Sequence, residues 1–226
     1  SEAELLSEKQ YFASVIEGTG AGTWEWNVKT GHTRFNEQWA NILGYTLADL
    51  SPVSVKTWLD LTHPDDLIIA DGLLKKHFSG ETSIYECEFR MRNCFGLWVW
   101  VLARGRVLTW TAEGNPEWMF GTQVDINQRK EQEEVLRKTQ VLLDKTGKIA
   151  GVGGWEVDLV SGLIYWSDET CRIHGVPLGY TPKLDEAINF YAPSARPIIK
   201  AAVERSMQTG ESWDFELPFI QANGQH

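Results

Sequence analysis

The chain repeats itself, and that repeat limits its architecture more than any other feature. Residues 22–31 read G-T-W-E-W-N-V-K-T-G, and residues 153–162 read G-G-W-E-V-D-L-V-S-G. Without a gap, Trp24 falls on Trp155, Glu25 on Glu156 and Gly31 on Gly162, a constant offset of 131 from 24 to 155. The register continues through Phe35 and Trp166, Glu37 and Asp168, Ile42 and Ile173, and Gly44 and Gly175. With one residue deleted, Gly80-Glu81 falls on Gly210-Glu211, and Glu86 and Phe89 on Glu216 and Phe219. A period this long is not a solenoid unit. It predicts two related domains of about 100–110 residues each.

Each copy reads the same way locally. Residues 23–28 alternate in strand-forming types, residues 29–31 turn, and residues 32–35 return as a second strand, which makes a hairpin. Asn36 is placed to cap a helix over 37–43 that Gly44 stops. A loop leads to a short helix over 55–61, and His63-Pro64-Asp65-Asp66 then opens a longer one to about 78. Leu67, Ala70, Leu73, Leu74 and His77 give that helix one apolar face. Strands over 83–92, 97–110 and 118–125 follow, separated by Asn/Gly and Gly/Asn-Pro turns. Trp98, Trp100 and Trp110 are expected on one face of the second of these if no bulge intervenes. The fold class is α+β: a five-stranded antiparallel sheet with helices on one face, duplicated along the chain.

Residues 127–148 read as a helix between the copies. Val135, Leu136, Leu142, Leu143, Ile149 and Ala150 recur at spacings of seven, with Thr139 and Thr146 between them, the seam of a short coiled coil. Residues 2–17, with Leu5, Leu6, Phe12, Val15 and Ile16, look like an equivalent leading helix. The expected boundaries are a leading helix at 1–20, a first domain at 21–127, a signalling helix at 128–150 and a second domain at 151–226. The second copy stops before any counterpart of residues 97–125. It is therefore expected to be truncated, lacking its last two strands unless another chain fills the gap.

Charge and cysteine content exclude several classes. Net charge is −10, from 21 basic and 31 acidic residues, with no dense basic block to hold nucleic acid. The cysteines are Cys87, Cys94 and Cys171, an odd count with no Cys-x-x-Cys pair and no histidine at zinc spacing. That predicts free thiols in a reducing, cytoplasmic setting and no metal site. The longest apolar run, residues 97–103, falls far short of the roughly 20 residues of a membrane helix. No signal sequence opens the chain, so no membrane contact is expected of it.

The arrangement resembles the PAS sensory domain, in tandem. In the first copy the resemblance rests on G-T-W-E-W-N, on N-E-Q-W-A-N-I-L-G-Y at 36–45 and on H-P-D-D at 63–66. It continues in Y-E-C-E-F-R-M-R at 85–92, G-L-W-V-W-V-L-A-R-G at 96–105 and G-T-Q-V-D-I-N-Q-R-K at 121–130. The last looks like the family's closing Asp-Ile-Thr signature with Asn127 in place of Thr. The second copy diverges, with Ala192-Pro193-Ser194-Ala195 standing where His-Pro-Asp-Asp would be. The resemblance implies a bacterial-type sensory region that relays a ligand, redox or oxygen signal through terminal helices. Its output module would be a histidine kinase or a diguanylate cyclase or phosphodiesterase, covalently attached and outside this sequence. It also implies a homodimer through helices 2–17 and 128–148. A cofactor-free dimerisation scaffold is the alternative.

No catalytic residue is expected. His63, Asp65 and Asp66 could be drawn as a small His/Asp enzyme, but Pro64 and two carboxylates suit the first turn of a helix. Gly151-x-Gly153-Gly154 precedes a strand, so it cannot aim a helix at a phosphate. The resemblance places any ligand, such as a small metabolite, between the sheet and the helices of residues 36–78. The candidate walls are Phe35, Trp39, Ile42, Leu43 and Trp58, with Leu73, Phe89 and Trp100. No cofactor is the leading expectation. Flavin would have to stack on Trp58, and Asn93-Cys94-Phe95 sits in a turn rather than on the helix of the light-sensing relatives. Haem would need His77, which stands near a helix C-terminus where a cation suits the dipole.

Overall fold

Two glycines placed directly opposite each other let the first sheet form around a tryptophan. Gly105 and Gly121 are cross-strand partners, and a Cβ on either would collide with the ring of Trp24. The indole thus lies flat on a floor without side chains, and its Nε1–H donates to the Thr122 carbonyl at 3.2 Å. The computed structural model describes residues 2–225, without the side chains at 2–6, 9 and 12. The apolar face assigned to Leu5, Leu6 and Phe12 therefore lies outside the described residues. The chain divides into two units, Ser1–Glu133 and Glu134–His226.

The first unit opens with α1 (Glu2–Thr19) and the hairpin β1 (Gly22–Asn27) and β2 (Thr33–Phe35). The Asn27 side chain accepts from the N–H groups of Lys29 and Thr30, and Gly31 takes a φ of 76° that side chains disfavour, closing the turn. α2 (Glu37–Ile42) starts at Asn36, whose Oδ1 accepts from Trp39 N at 2.9 Å and Thr23 N at 2.8 Å. One side chain thus caps the helix and ties it to β1. Residues 47–50, read from the sequence as loop, form α3 (Leu47–Leu50). The Thr46–Asp49 capping box explains it, since each side chain accepts from the other's backbone N–H. α4 (Val55–Leu61) and α5 (Pro64–Phe78) follow, then β3 (Tyr85–Arg92), β4 (Trp98–Trp110) and β5 (Pro116–Asp125).

All pairings are antiparallel and the strand order is β2-β1-β5-β4-β3, so the last two strands are central. Strand parity sorts the faces. Trp24, Trp26, Phe35, Tyr85, Phe89, Val101, Ala103, Met119 and Gln123 share the inner face, which the helices cover. Leu108 is an extra residue between the pairs Val107–Met119 and Thr109–Trp118, a bulge. The even-number parity that grouped Trp110 with Trp98 and Trp100 therefore does not carry past it.

α6 (Asn127–Ala150) begins directly after β5 and buries none of its residues. Val135, Leu136, Leu142, Leu143 and Ile149 are 62–89% exposed.

The second unit has the hairpin β6 (Trp155–Val157) and β7 (Ile164–Trp166), then α7 (Asp168–His174), α8 (Leu184–Ile188) and α9 (Arg196–Thr209). Among the described residues the hairpin pairs with no other strand, and residues 212–220 form one β-bridge, Phe219 to Tyr191, while Trp213 stacks on Trp155 and Leu217 packs on the core. Ile188, Ile199 and Val203 make its small core. Several details occur in both units at an offset of 131. Trp24 pairs with Phe35, and Trp155 with Trp166. Asn36 caps α2 and accepts from Thr23 N, while Ser167 caps α7 and accepts from Gly154 N. A Cβ on Gly22 would lie 2.6 Å from Trp39 Cα, and one on Gly153 would lie 2.8 Å from Thr170 Cα.

Candidate functional site

An apolar cavity of about 50 Å³ lies between the inner face of the first sheet and its helices. The sheet contributes Trp24 and Trp26 from β1, Thr33 and Phe35 from β2, Tyr85 and Phe89 from β3 and Ala103 from β4. Trp39 of α2, Val55 and Trp58 of α4, and Leu74 of α5 close it from above. The Phe35 and Trp39 rings stack at 3.8 Å, and Trp58 meets Phe89 edge-on at 5.9 Å, arrangements that hold aromatic rings in place.

Two buried side-chain nitrogens on this face have no hydrogen-bond partner among the described residues, Trp26 Nε1 and Gln123 Nε2. Gln123 is 1% exposed and is the cross-strand neighbour of Ala103 and Gly22. A buried donor left unmet costs about 1–3 kcal/mol. Burial pushes the Tyr85 hydroxyl well above its usual range and the Cys87 thiol up to about 11. Cys87 is thus a thiol rather than a reactive thiolate.

Of the candidate walls, Phe35, Trp39, Trp58 and Phe89 line the cavity. Leu43 is fully buried in the core, and Ile42 and Leu73 pack against that core without reaching the cavity. Trp100 is a correction: it points away from the helices. Inner positions on β4 are odd-numbered before the bulge, so Trp100 belongs to the outer face. Trp24, Trp26, Thr33, Val55, Leu74, Tyr85 and Ala103 also line the cavity and were not among the candidate walls. The Trp24-Glu25-Trp26 alternation already placed the two indoles on one face, but which face needed the register with β5.

Trp100 has a different role. The Arg90 guanidinium lies over its ring at 5.4 Å and the Lys130 ammonium at 5.0 Å. Its backbone N–H donates to Asn127 Oδ1 at 2.8 Å, and its carbonyl accepts from Ile126 N at 2.9 Å. Asn127, in the place of the signature Thr, therefore ties the start of α6 to β4. Glu88 of β3 pairs with Lys130 at 2.6 Å and with Arg129, and these cations hold its carboxyl below the usual range. β3 thus carries the cavity wall Phe89 on one face, flanked on the other by Glu88 and Arg90, which face the root of α6.

His63-Pro64-Asp65-Asp66 is structural. His63 caps α5, its Nδ1 accepting from Asp65 N, and Pro64 opens the helix. Asp66, 5% exposed, is held by Arg90 through Nε, Nη2 and the backbone N–H at 2.7–2.8 Å. It locks α5 to β3.

His77 corrects the reading of a cation at a helix end. It is buried; Nε2 accepts from Val107 N at 3.0 Å, and Nδ1 donates to the Thr82 carbonyl at 2.9 Å. Both nitrogens are engaged, so neither can ligate haem iron. Cys94 lies in the β3–β4 turn, against Gly44. Among the described residues no cluster of three His, Cys, Asp or Glu could hold a metal, and no helix is long and apolar enough to cross a membrane.

Known proteins agree with this architecture. The family model described as PAS fold matches residues 32–123. The chain is 31% identical to a sensory box histidine kinase/response regulator from Burkholderia thailandensis E264 of known crystal structure. That match covers 59% of this chain and 98% of the other, with a TM-score of 0.53. It is 23% identical over 225 residues to the probable diguanylate cyclase DgcE of Escherichia coli (strain K12), covering 99% of this chain and 20% of that protein. It is 26% identical over 134 residues to the sensor protein FixL of Bradyrhizobium diazoefficiens, covering 59% of this chain and 26% of that protein. The chain thus spans a fifth to a quarter of these two relatives. A matching family model over the sheet and its helices, and a solved relative at this identity, lead to one assignment: the first unit of this chain belongs to the PAS fold family.

Proposed function

We propose that the chain is the sensory region of a signal-transduction protein. The first unit holds a small ligand in its aromatic cavity, and α6 relays occupancy to an output module of histidine kinase or cyclic-di-GMP type. The observation that carries this is the double role of β3 and β4. Phe89 and Ala103 line the cavity, while Glu88 and Trp100 on the opposite face hold the root of α6. A displacement of either strand reaches both places. The names of the relatives, a diguanylate cyclase, a sensor protein and a histidine kinase, support an output of this class. Three unpaired cysteines fit a reducing compartment.

Glu88→Gln tests the coupling. Amide exchange over residues 127–134 is expected to rise by about fivefold, the scale of losing roughly 1 kcal/mol at a partly exposed ion-pair network. Unchanged exchange there would separate α6 from the sheet. In the parent protein, one or two residues inserted near Thr139 are expected to change output, because they rotate everything downstream on the helix. A full heptad should be tolerated.

We read residues 151–226, within the second unit, as a divergent second copy of the first domain. The shared caps and glycine contacts at an offset of 131 support that reading. We read the exposed stripe on α6 as a seam for a second copy of the chain. Leu136→Lys with Leu143→Lys is expected to convert a dimer to a monomer in sedimentation. A wild-type monomer would refute the seam.

A further inference from the structure

Resting on the reading of the cavity as a ligand site, we propose the class of molecule it takes. That class is a small, neutral, mostly apolar compound with one oxygen acceptor, which Trp26 Nε1–H recognises. Trp26 and Gln123 each bury a donor that nothing accepts, and both lie on the inner sheet face. Trp26 is itself a wall, and Gln123 is cross-strand to the wall Ala103. Both unmet groups are donors, so the missing partner is an acceptor. Thr33, the other polar wall besides Tyr85, already donates its hydroxyl to the Gly31 carbonyl at 3.1 Å. Among the described residues no carboxylate or basic side chain lines the cavity, so an ion would enter without a counter-charge. Aromatic walls can attract a quaternary ammonium. Here, though, two N–H dipoles on the same face oppose a cation, and no carboxylate balances it. The aromatic surfaces suit an apolar body of a few heavy atoms.

Butanone and 2-methylbutane provide the test, because they share a shape and differ by oxygen against methyl. Each is titrated into the full ¹⁵N-labelled chain while the indole N–H resonances are followed. Both are expected to perturb the cavity walls, and butanone alone should move the Trp26 resonance downfield. Trp26→Phe keeps a ring and removes the donor. It should weaken butanone about tenfold, as loss of one buried hydrogen bond does, and leave 2-methylbutane within about twofold. An unmoved Trp26 signal at butanone saturation, or equal weakening of both probes, overturns the acceptor proposal and leaves the cavity as a site for apolar ligands. Tetramethylammonium binding more tightly than butanone overturns it as well. If neither hydrocarbon-sized probe perturbs any wall residue, the cavity reading itself falls. The wild-type titrations decide the matter even if the variant does not fold.

Discussion

Alanine at Gly121 is expected to destabilise the first unit by about 3 kcal/mol or more, at the upper end of overpacking costs. The new Cβ would overlap the Trp24 ring and also the Arg104 carbonyl oxygen. A side chain can be displaced, but the backbone of the neighbouring strand cannot move without breaking the β4–β5 ladder. Trp24 is in turn pinned by its bond to Thr122. Gly105→Ala should act in the same direction, since its Cβ would meet the same ring and lie 2.7 Å from Phe120 O. The two substitutions share a partner and will not add. Gly154→Ala is the control: nothing lies within 4 Å of that Cβ, and a change within about 0.5 kcal/mol is expected. Urea unfolding measures all three. A cost below about 1 kcal/mol at Gly121 would mean that Trp24 does not rest on the glycine floor.

Asp66→Asn is expected to cost about 3 kcal/mol, the scale of removing one partner of a buried pair. Asp66 is buried and Arg90 only partly exposed, and their bonds link the start of α5 to β3 beside the bond from His63 N to the Arg90 carbonyl. Asp65→Asn, on an 81% exposed side chain one residue earlier, should stay within about 0.5 kcal/mol. The pH dependence has a definite sign. Arg90 holds the Asp66 carboxyl below the usual aspartate value of about 4. The stabilisation is therefore complete above that value and is lost as pH falls through the lower folded value. The gap between wild type and variant should be full at neutral pH and narrow only in stronger acid. A gap unchanged by acid would assign the loss to packing rather than to the ion pair.

Much of this was visible in the residues. The hairpin, the Asn36 cap, α4 and the three long strands follow from alternation and from turn and cap chemistry, which act over a few residues. Caps and glycine contacts recur at the offset of 131 in the two units. The four-residue α3 escaped because one turn is too short to show a helical period; only the Thr46–Asp49 box marks it. Trp39 and Phe35 could be named as cavity walls because the resemblance places a pocket between the sheet and the helices of residues 36–78. Trp100 could not be placed, since a two-residue period says which residues share a face but not which face is covered.

The sequence by itself determined the local elements, their order, the repeat and the absence of a recognisable catalytic motif, because each depends on neighbours along the chain. Only the tertiary structure decided what meets across it. It set Gly105 opposite Gly121 under one indole, Asp66 on Arg90, and both nitrogens of His77 in backbone bonds. It turned Trp100 from a cavity wall into the anchor of α6, and it left the Trp26 and Gln123 donors unmet. The physical reason is register: pairing β1 with β5 across about a hundred residues fixes every face at once, and no local pattern encodes that pairing.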